Sequence, residues 1–180
     1  MGAAGADIGL GGAALAANGL RVQGSLMELH LAPARESDGD TLVSLAREFR
    51  REDGHVLEEA GETALLQITQ GEPFARAWIA WQESHAVGYV VITLGYSVEY
   101  GGRDGFIDDL YLVPAVRGQG LGRKLLDFAL ARAADLEIRT LHLEVEPGNE
   151  SATRLYRSAG FAETGRRLMR LTLRNGGRAG

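Results

Sequence analysis

One α/β domain built on a mixed sheet is the fold class this sequence predicts, and three observations carry it. Short segments alternate apolar and polar residues with period two, helical stripes fall between them, and the second half reads strand, helix, strand, helix, strand. A helix joining two strands needs a crossover, so the strands flanking Leu121–Ala134 should run parallel, as neighbours or nearly so. No repeat is visible, and no linker divides the chain after Leu26, so residues 26–174 are expected to form the domain.

In Met27, Leu29 and Leu31 apolar positions alternate with Glu28, His30 and Ala32, the pattern of a half-buried strand that Pro33 closes. Asp38 or Asp40 can cap the helix that follows, whose stripe is Leu42, Leu45, Ala46 and Phe49. Gly54 interrupts, and a second helical stretch over about Glu58–Gln70 carries Ala64, Leu65 and Ile68. Phe74–Trp81 and Val87–Leu94 read as antiparallel strands turning near Glu83-Ser84-His85. The polar, glycine-rich Tyr96–Asp104 reads as a longer loop or a flared hairpin end, and Phe106–Val113 is the next strand, stopped by Pro114. Helix Leu121–Ala134 presents Leu121, Leu125, Phe128 and Ala129, and strand Thr140–Val145 sets Leu141, Leu143 and Val145 against His142, Glu144 and Glu146. A short helix over about Ser151–Ser158 ends where Gly160 suits a left-handed cap, and Arg167–Leu173 alternates as a last strand.

The chain has 180 residues, a net charge of -5 and no cysteine, so disulfide scaffolds, thiolate zinc sites and a cysteine nucleophile are excluded. The acidic balance argues against a generic nucleic-acid binder and suits a small cationic substrate. His30, His55, His85 and His142 lack metal-ligand spacing, so no metal is expected. Glycine, at 25 residues, is about twice its usual share of roughly 7%, and many glycines precede Ser25. That opening stretch lacks the basic start of a secretory signal and the run of about 20 apolar residues of a membrane span. Residues 1–25 are expected to be a weakly structured extension, 175–180 a disordered tail, and the cytoplasm the compartment, with no membrane partner.

Val113–Lys124 is the most informative segment: a strand ends, a glycine-studded turn follows, and a helix begins. Gly118, Gly120 and Gly122 let successive amides of Gly118, Gln119, Gly120, Leu121, Gly122 and Arg123 converge on an anion. The helix dipole adds attraction, and Arg117, Arg123 and Lys124 add charge. The pattern points to pyrophosphate. The P-loop pattern G-x-x-x-x-G-K-[ST] fails because Leu125 follows Lys124, and the dinucleotide spacing G-x-G-x-x-G is not met. Coenzyme A is the third ligand class that uses such a turn.

Here the chain resembles the GCN5-related N-acetyltransferase (GNAT) family. Arg117, Gly120 and Gly122 match its [QR]-x-x-G-x-[GA] signature, after the strand Ile107–Val113. A second signature is matched by Asn149, Ala152, Leu155, Tyr156, Gly160 and Phe161. The pair Asp108-Asp109 looks like the Glu-Asp pair of the spermidine/spermine and thialysine branch. The resemblance implies a mixed sheet of six to seven strands with helices on both faces and two splayed parallel strands.

It further implies acetyl-CoA as donor and a primary amine as acceptor, joined without a covalent acetyl-enzyme. The cofactor contacts it implies are the backbone of Leu110, Tyr111 and Leu112, the turn from Arg117 to Arg123, and Asn149 and Ser151. Tyr156 occupies the family's proton-donor position. Asp108 is the leading base, acting through water, with Glu144 next; strict alternation puts Asp108 and Leu110 on one face and Asp109 and Tyr111 on the other. A carboxylate pair inside an apolar strand is costly unless satisfied, so at least one acid should be functional. Glu52 and Glu99 lie in regions expected to line the acceptor pocket, where acids and aromatics can hold an ammonium. Polyamines, amino acids, aminoglycosides and protein N-termini all remain open as acceptors, a non-catalytic CoA-binding module is the competing reading, and a homodimer is common in that family.

Overall fold

The computed structural model describes residues 28–173. The expected extension at 1–25 and tail at 175–180 lie outside the described residues. Strand β1 (Leu29–Pro33) leads through a one-turn helix into α1 (Gly39–Glu52), followed by α2 (Glu59–Thr69). Asp38 sits at the N-cap of α1, but its carboxylate accepts from the Arg35 amide instead of capping the helix. Strands β2 (Ala75–Gln82), β3 (His85–Ser97) and β4 (Gly102–Leu112) form an antiparallel meander with β1, and α3 (Leu121–Asp135) crosses over to β5 (Thr140–Leu143), which is parallel to β4. Helix α4 (Glu150–Ser158) follows.

Among the described residues the sheet has five strands in the order β1-β2-β3-β4-β5, fewer than the six to seven expected. The missing strand is Arg167–Leu173, which alternates correctly but pairs with none of the described residues. Leu168, Met169, Leu171 and Leu173 are exposed. Alternation marks a segment able to form a strand; a ladder partner has to be supplied by tertiary structure. The Tyr96–Asp104 stretch resolves as the hairpin end, with β3 and β4 paired out to Ser97 and Gly102.

Helices cover both faces, as the two apolar patterns require. Leu42, Val43, Leu45 and Ala46 of α1 and Leu65 of α2 pack with Ile79, Tyr89, Val91 and Tyr111 on one face. Leu121, Leu125, Leu126, Ala129 and Ala133 of α3 pack with Trp78, Val90, Ile92 and Ile107 on the other, where Leu155 and Tyr156 of α4 join them. At about 1.5–3 kcal/mol per buried aliphatic or aromatic side chain, these two clusters hold the helices on the two faces of the sheet.

Candidate active site

Strand β4 changes character at Asp108. Its parallel pairing with β5 runs from Asp104↔Thr140 to Ile107↔Leu143 and stops there, while its pairing with β3 continues to Leu112. From Asp108 to Leu112 one edge of β4 therefore has no strand beside it among the described residues. Leu110, Tyr111 and Leu112 lie in this stretch, and the backbone groups that the β3 ladder does not use offer an extended ligand a place to add to the sheet.

At the same point β4 carries a bulge. Its register with β3 steps from Val91↔Asp109 to Ile92↔Ile107, leaving Asp108 as the inserted residue. Ile107 and Leu110, three apart, both pack toward α3, whereas Asp109 faces Tyr89 on the α1 side. Strict alternation does not survive here, so Asp108 and Leu110 do not share a face in the simple way expected. Asp108 is exposed and, with Thr93, Phe106, Ile107 and Glu144, lines a cleft of about 300 Å³. Asp109 is buried; its carboxylate accepts from Tyr89 Oη at 2.9 Å and from Arg50 Nη2 at 2.8 Å.

A larger cavity of about 720 Å³ lies against β5 and α4 and is lined by Leu143, Val145, Tyr156 and Phe161 among others. The end of β5 separates the two spaces: Leu143 and Val145 face the larger, Glu144 the smaller. Tyr156 and Asp108 thus belong to different cavities on either side of that strand end. Gly160, left-handed at φ +100°, folds the chain back after α4, and the Phe161 amide donates to the Tyr156 carbonyl. The two rings meet edge to face at 6.0 Å. Burial pushes the Tyr156 hydroxyl above its ordinary value, so it stays protonated at neutral pH.

The turn after β4 is shaped by its glycines. Gly118 and Gly120 are left-handed, at φ +76° and +78°, and Gly120 is the N-cap of α3, which no side chain caps. The first-turn amides of Leu121, Gly122 and Arg123 therefore lack intrahelical acceptors. Gln119 and Lys124 are exposed beside them. The arginines are engaged elsewhere. Arg117 Nε donates to the Leu112 carbonyl and Nη2 to Glu52, both at 2.7 Å, while its guanidinium lies over the Tyr111 ring. Arg123 donates to Asp127 and reaches Ser158.

Other expected ligands are occupied within the protein too. Tyr111 Oη donates to Glu52, so that carboxylate bridges α1, β4 and the turn. Partial burial pushes Glu52 up, but the bonds from Tyr111 and Arg117 outweigh it and the net shift is down. Glu99 holds Arg166 with two bonds of 2.7 and 2.8 Å. Asn149 caps α4 by accepting from the Ala152 amide, and Ser151 is exposed in its first turn. Thr93 and Phe106 were missed in the sequence, because nothing local says that a hairpin will bring them beside Asp108. Among the described residues there is no acidic or histidine cluster suited to a metal, and no helix is long and apolar enough to cross a membrane.

Comparison with known proteins agrees with this geometry. The chain is similar to the peptidyl-lysine N-acetyltransferase YjaB of Salmonella typhimurium, at 27% identity over 78% of this chain and 88% of the relative. It is similar to the thialysine N-epsilon-acetyltransferase of Mus musculus, at 30% identity over 71% of this chain and 80% of the relative. Its fold matches an integron cassette protein from a salt-marsh metagenome, HFX_CASS3, with TM-score 0.68, 35% identity, and coverage of 80% of this chain and 90% of the other. It also matches an aminoglycoside N-acetyltransferase, AAC(6')-Iy, in complex with CoA, with TM-score 0.67, 14% identity, and coverage of 81% and 95%. The family model for the acetyltransferase (GNAT) family matches residues 40–161, which takes in the open edge of β4, the glycine turn, the smaller cleft and most of the lining of the larger cavity, and the chain belongs to that family of N-acetyltransferases.

Proposed function

We propose that this enzyme moves an acetyl group directly from acetyl-CoA to the primary amine of a small cationic molecule. The observation that carries the reading is the opening of β4 from β5 at Asp108, next to a left-handed glycine turn at the far end of the same strand. In this reading the first-turn amides of α3 and the charge of Lys124 hold the diphosphate. The free edge from Leu110 to Leu112 pairs with the pantetheine amides, and a β4 amide near the bulge polarises the thioester carbonyl.

Asp108 and Glu144 give the smaller cleft two carboxylates beside the Phe106 ring, a setting that attracts an ammonium by charge and by cation–π contact. Asp108, being exposed, takes the proton from the ammonium through water, because a protonated amine has no lone pair for attack. The amine nitrogen then bonds to the acetyl carbon, the carbon–sulfur bond breaks, and the electron pair stays on sulfur. Tyr156, on the other side of the β5 end, donates a hydrogen bond and then a proton to that sulfur. Its raised pKa makes it a hydrogen-bond donor first and a full acid second. Similarity to a peptidyl-lysine acetyltransferase favours a lysine side chain in a peptide as the second reading. The cytoplasm expected from the sequence suits an enzyme using acetyl-CoA.

Thiol release from acetyl-CoA should accompany acetylation of at least one amine in a panel of polyamines, amino acids, aminoglycosides and lysine peptides. Tight CoA binding without turnover on any of them would convert the enzyme into a binding module. We also infer a homodimer: the outer edge of β5 has no strand partner among the described residues, and Leu168, Met169, Leu171 and Leu173, in the segment after α4, are exposed. Sedimentation equilibrium should give twice the chain mass; a monomer at assay concentration would refute it.

A further inference from the structure

Asp109 is the one buried carboxylate among the described residues, at 5% exposed, and the steps above give it no task. It lies one residue from Asp108, at the point where the bulge forms and β5 pairing ends. A bulge interrupts the ladder, so the ladder alone does not fix the direction of its residues. Here two side chains fix it. Tyr89, fully buried on β3, donates to one carboxylate oxygen, and Arg50, near the end of α1, donates to the other. Arg50 also lies over the Phe49 ring, which stacks on Tyr111 two residues further along β4. The bulge is thereby tied to the neighbouring strand and to the helix above it.

A buried ion pair is a poor way to gain stability, since an apolar group of similar volume often does as well or better. It does impose one geometry. We propose that Asp109 is a positioning residue for acetyl transfer: through Tyr89 and Arg50 it locks the β4 bulge and so sets the direction of the Asp108 carboxylate and of the adjoining amides that face the gap. The inference rests on the acetyltransferase reading of that gap. Asp109 touches neither substrate, so its contribution is geometric, and a small misplacement of reacting groups is costly.

The test uses the full chain and pairs steady-state thiol release with hydrogen–deuterium exchange. Tyr89→Phe keeps the buried ring and removes only the hydroxyl; Asp109→Asn keeps the volume and removes the charge. Both should lower kcat about ten- to a hundredfold while KM for acetyl-CoA changes by less than about twofold. Amides of Asp108–Leu110 should exchange faster than in wild type. Arg50→Lys, which keeps one charged donor, should recover more kcat than Arg50→Met. Should Asp109→Asn fail to fold, Tyr89→Phe decides alone. A folded Tyr89→Phe protein with wild-type kcat, or with unchanged exchange at Asp108–Leu110, overturns the proposal. A wild type that acetylates no amine sinks the acetyltransferase reading instead, and the exchange result still says whether the lock exists.

Discussion

The glycine turn offers a controlled comparison between two substitutions two residues apart. Gly120 is left-handed at φ +78°, and a Cβ added there would meet nothing within 4 Å. The cost of Gly120→Ala is therefore purely conformational, about 1–2 kcal/mol for an L-residue in that region. Gly122 has no such constraint: it is the second residue of α3, and its added Cβ would make an ordinary contact of 3.6 Å with Leu155 Cδ2. Replacing glycine by alanine within a helix gains up to about 1 kcal/mol. The same chemical change should thus lower stability at Gly120 and raise it at Gly122. With roughly 2–4 °C per kcal/mol for a chain of this size, calorimetry should find Tm down by about 2–8 °C for Gly120→Ala and up by about 2–4 °C for Gly122→Ala. Titration with CoA adds the functional half. To the extent that Gly120→Ala escapes the strain by turning the amides before α3, the same energy moves from the melting temperature to CoA affinity, a loss of up to roughly five- to thirtyfold. Gly122→Ala should bind CoA as wild type does. A Gly120→Ala protein that melts and binds like wild type would refute the argument that left-handed backbone shapes this cradle.

Three further outcomes are expected. Tyr156→Phe should reduce kcat at least about tenfold with CoA affinity nearly intact; unchanged turnover would leave Tyr156 as packing against Phe161. Asp108→Asn should lower kcat at least about tenfold, and if Glu144→Gln does so instead, Glu144 is the base. Burial raises the Asp109 carboxyl from 3.8 to about 6, against the opposing pull of Arg50 and Tyr89, so the folded state prefers the protonated acid. Its stabilising contribution is complete below about pH 4 and is lost as pH rises through about 6, at most about 3 kcal/mol. Asp109→Asn cannot ionise, so denaturant unfolding should find the variant gaining on wild type between about pH 4 and about pH 7. A gap that stays constant with pH would show that Asp109 titrates where an ordinary carboxylate does.

Most of the element order was legible in the sequence because it rests on local periodicity. The stripe Leu42, Leu45, Ala46 and Phe49 was bound to seek a core, and the left-handed turns at Gly118, Gly120 and Gly160 follow from residues that tolerate them. The glycine turn before α3 was legible for the same reason: strand end, glycines and helix start are contiguous in the chain. Arg167–Leu173 marks the limit of that logic, since its alternation is local but a strand also needs a neighbour.

What tertiary structure decided is how neighbouring acids were told apart. Asp108 and Asp109 are chemically identical and adjacent, and alternation alone gives each a face but no role. The bulge against β3, the end of pairing with β5, and the approach of Arg50 from 59 residues away put one carboxylate in an open cleft and the other in a buried network. Glu52, Glu99, Arg117 and Arg123 teach the same lesson: each carries a charge suited to a ligand, and each finds a partner inside the protein. Sequence fixes which groups exist and which backbone shapes they permit. Which charges are neutralised depends on distances of about 3 Å between distant segments, and those exist only once the sheet has registered and the helices have closed over it.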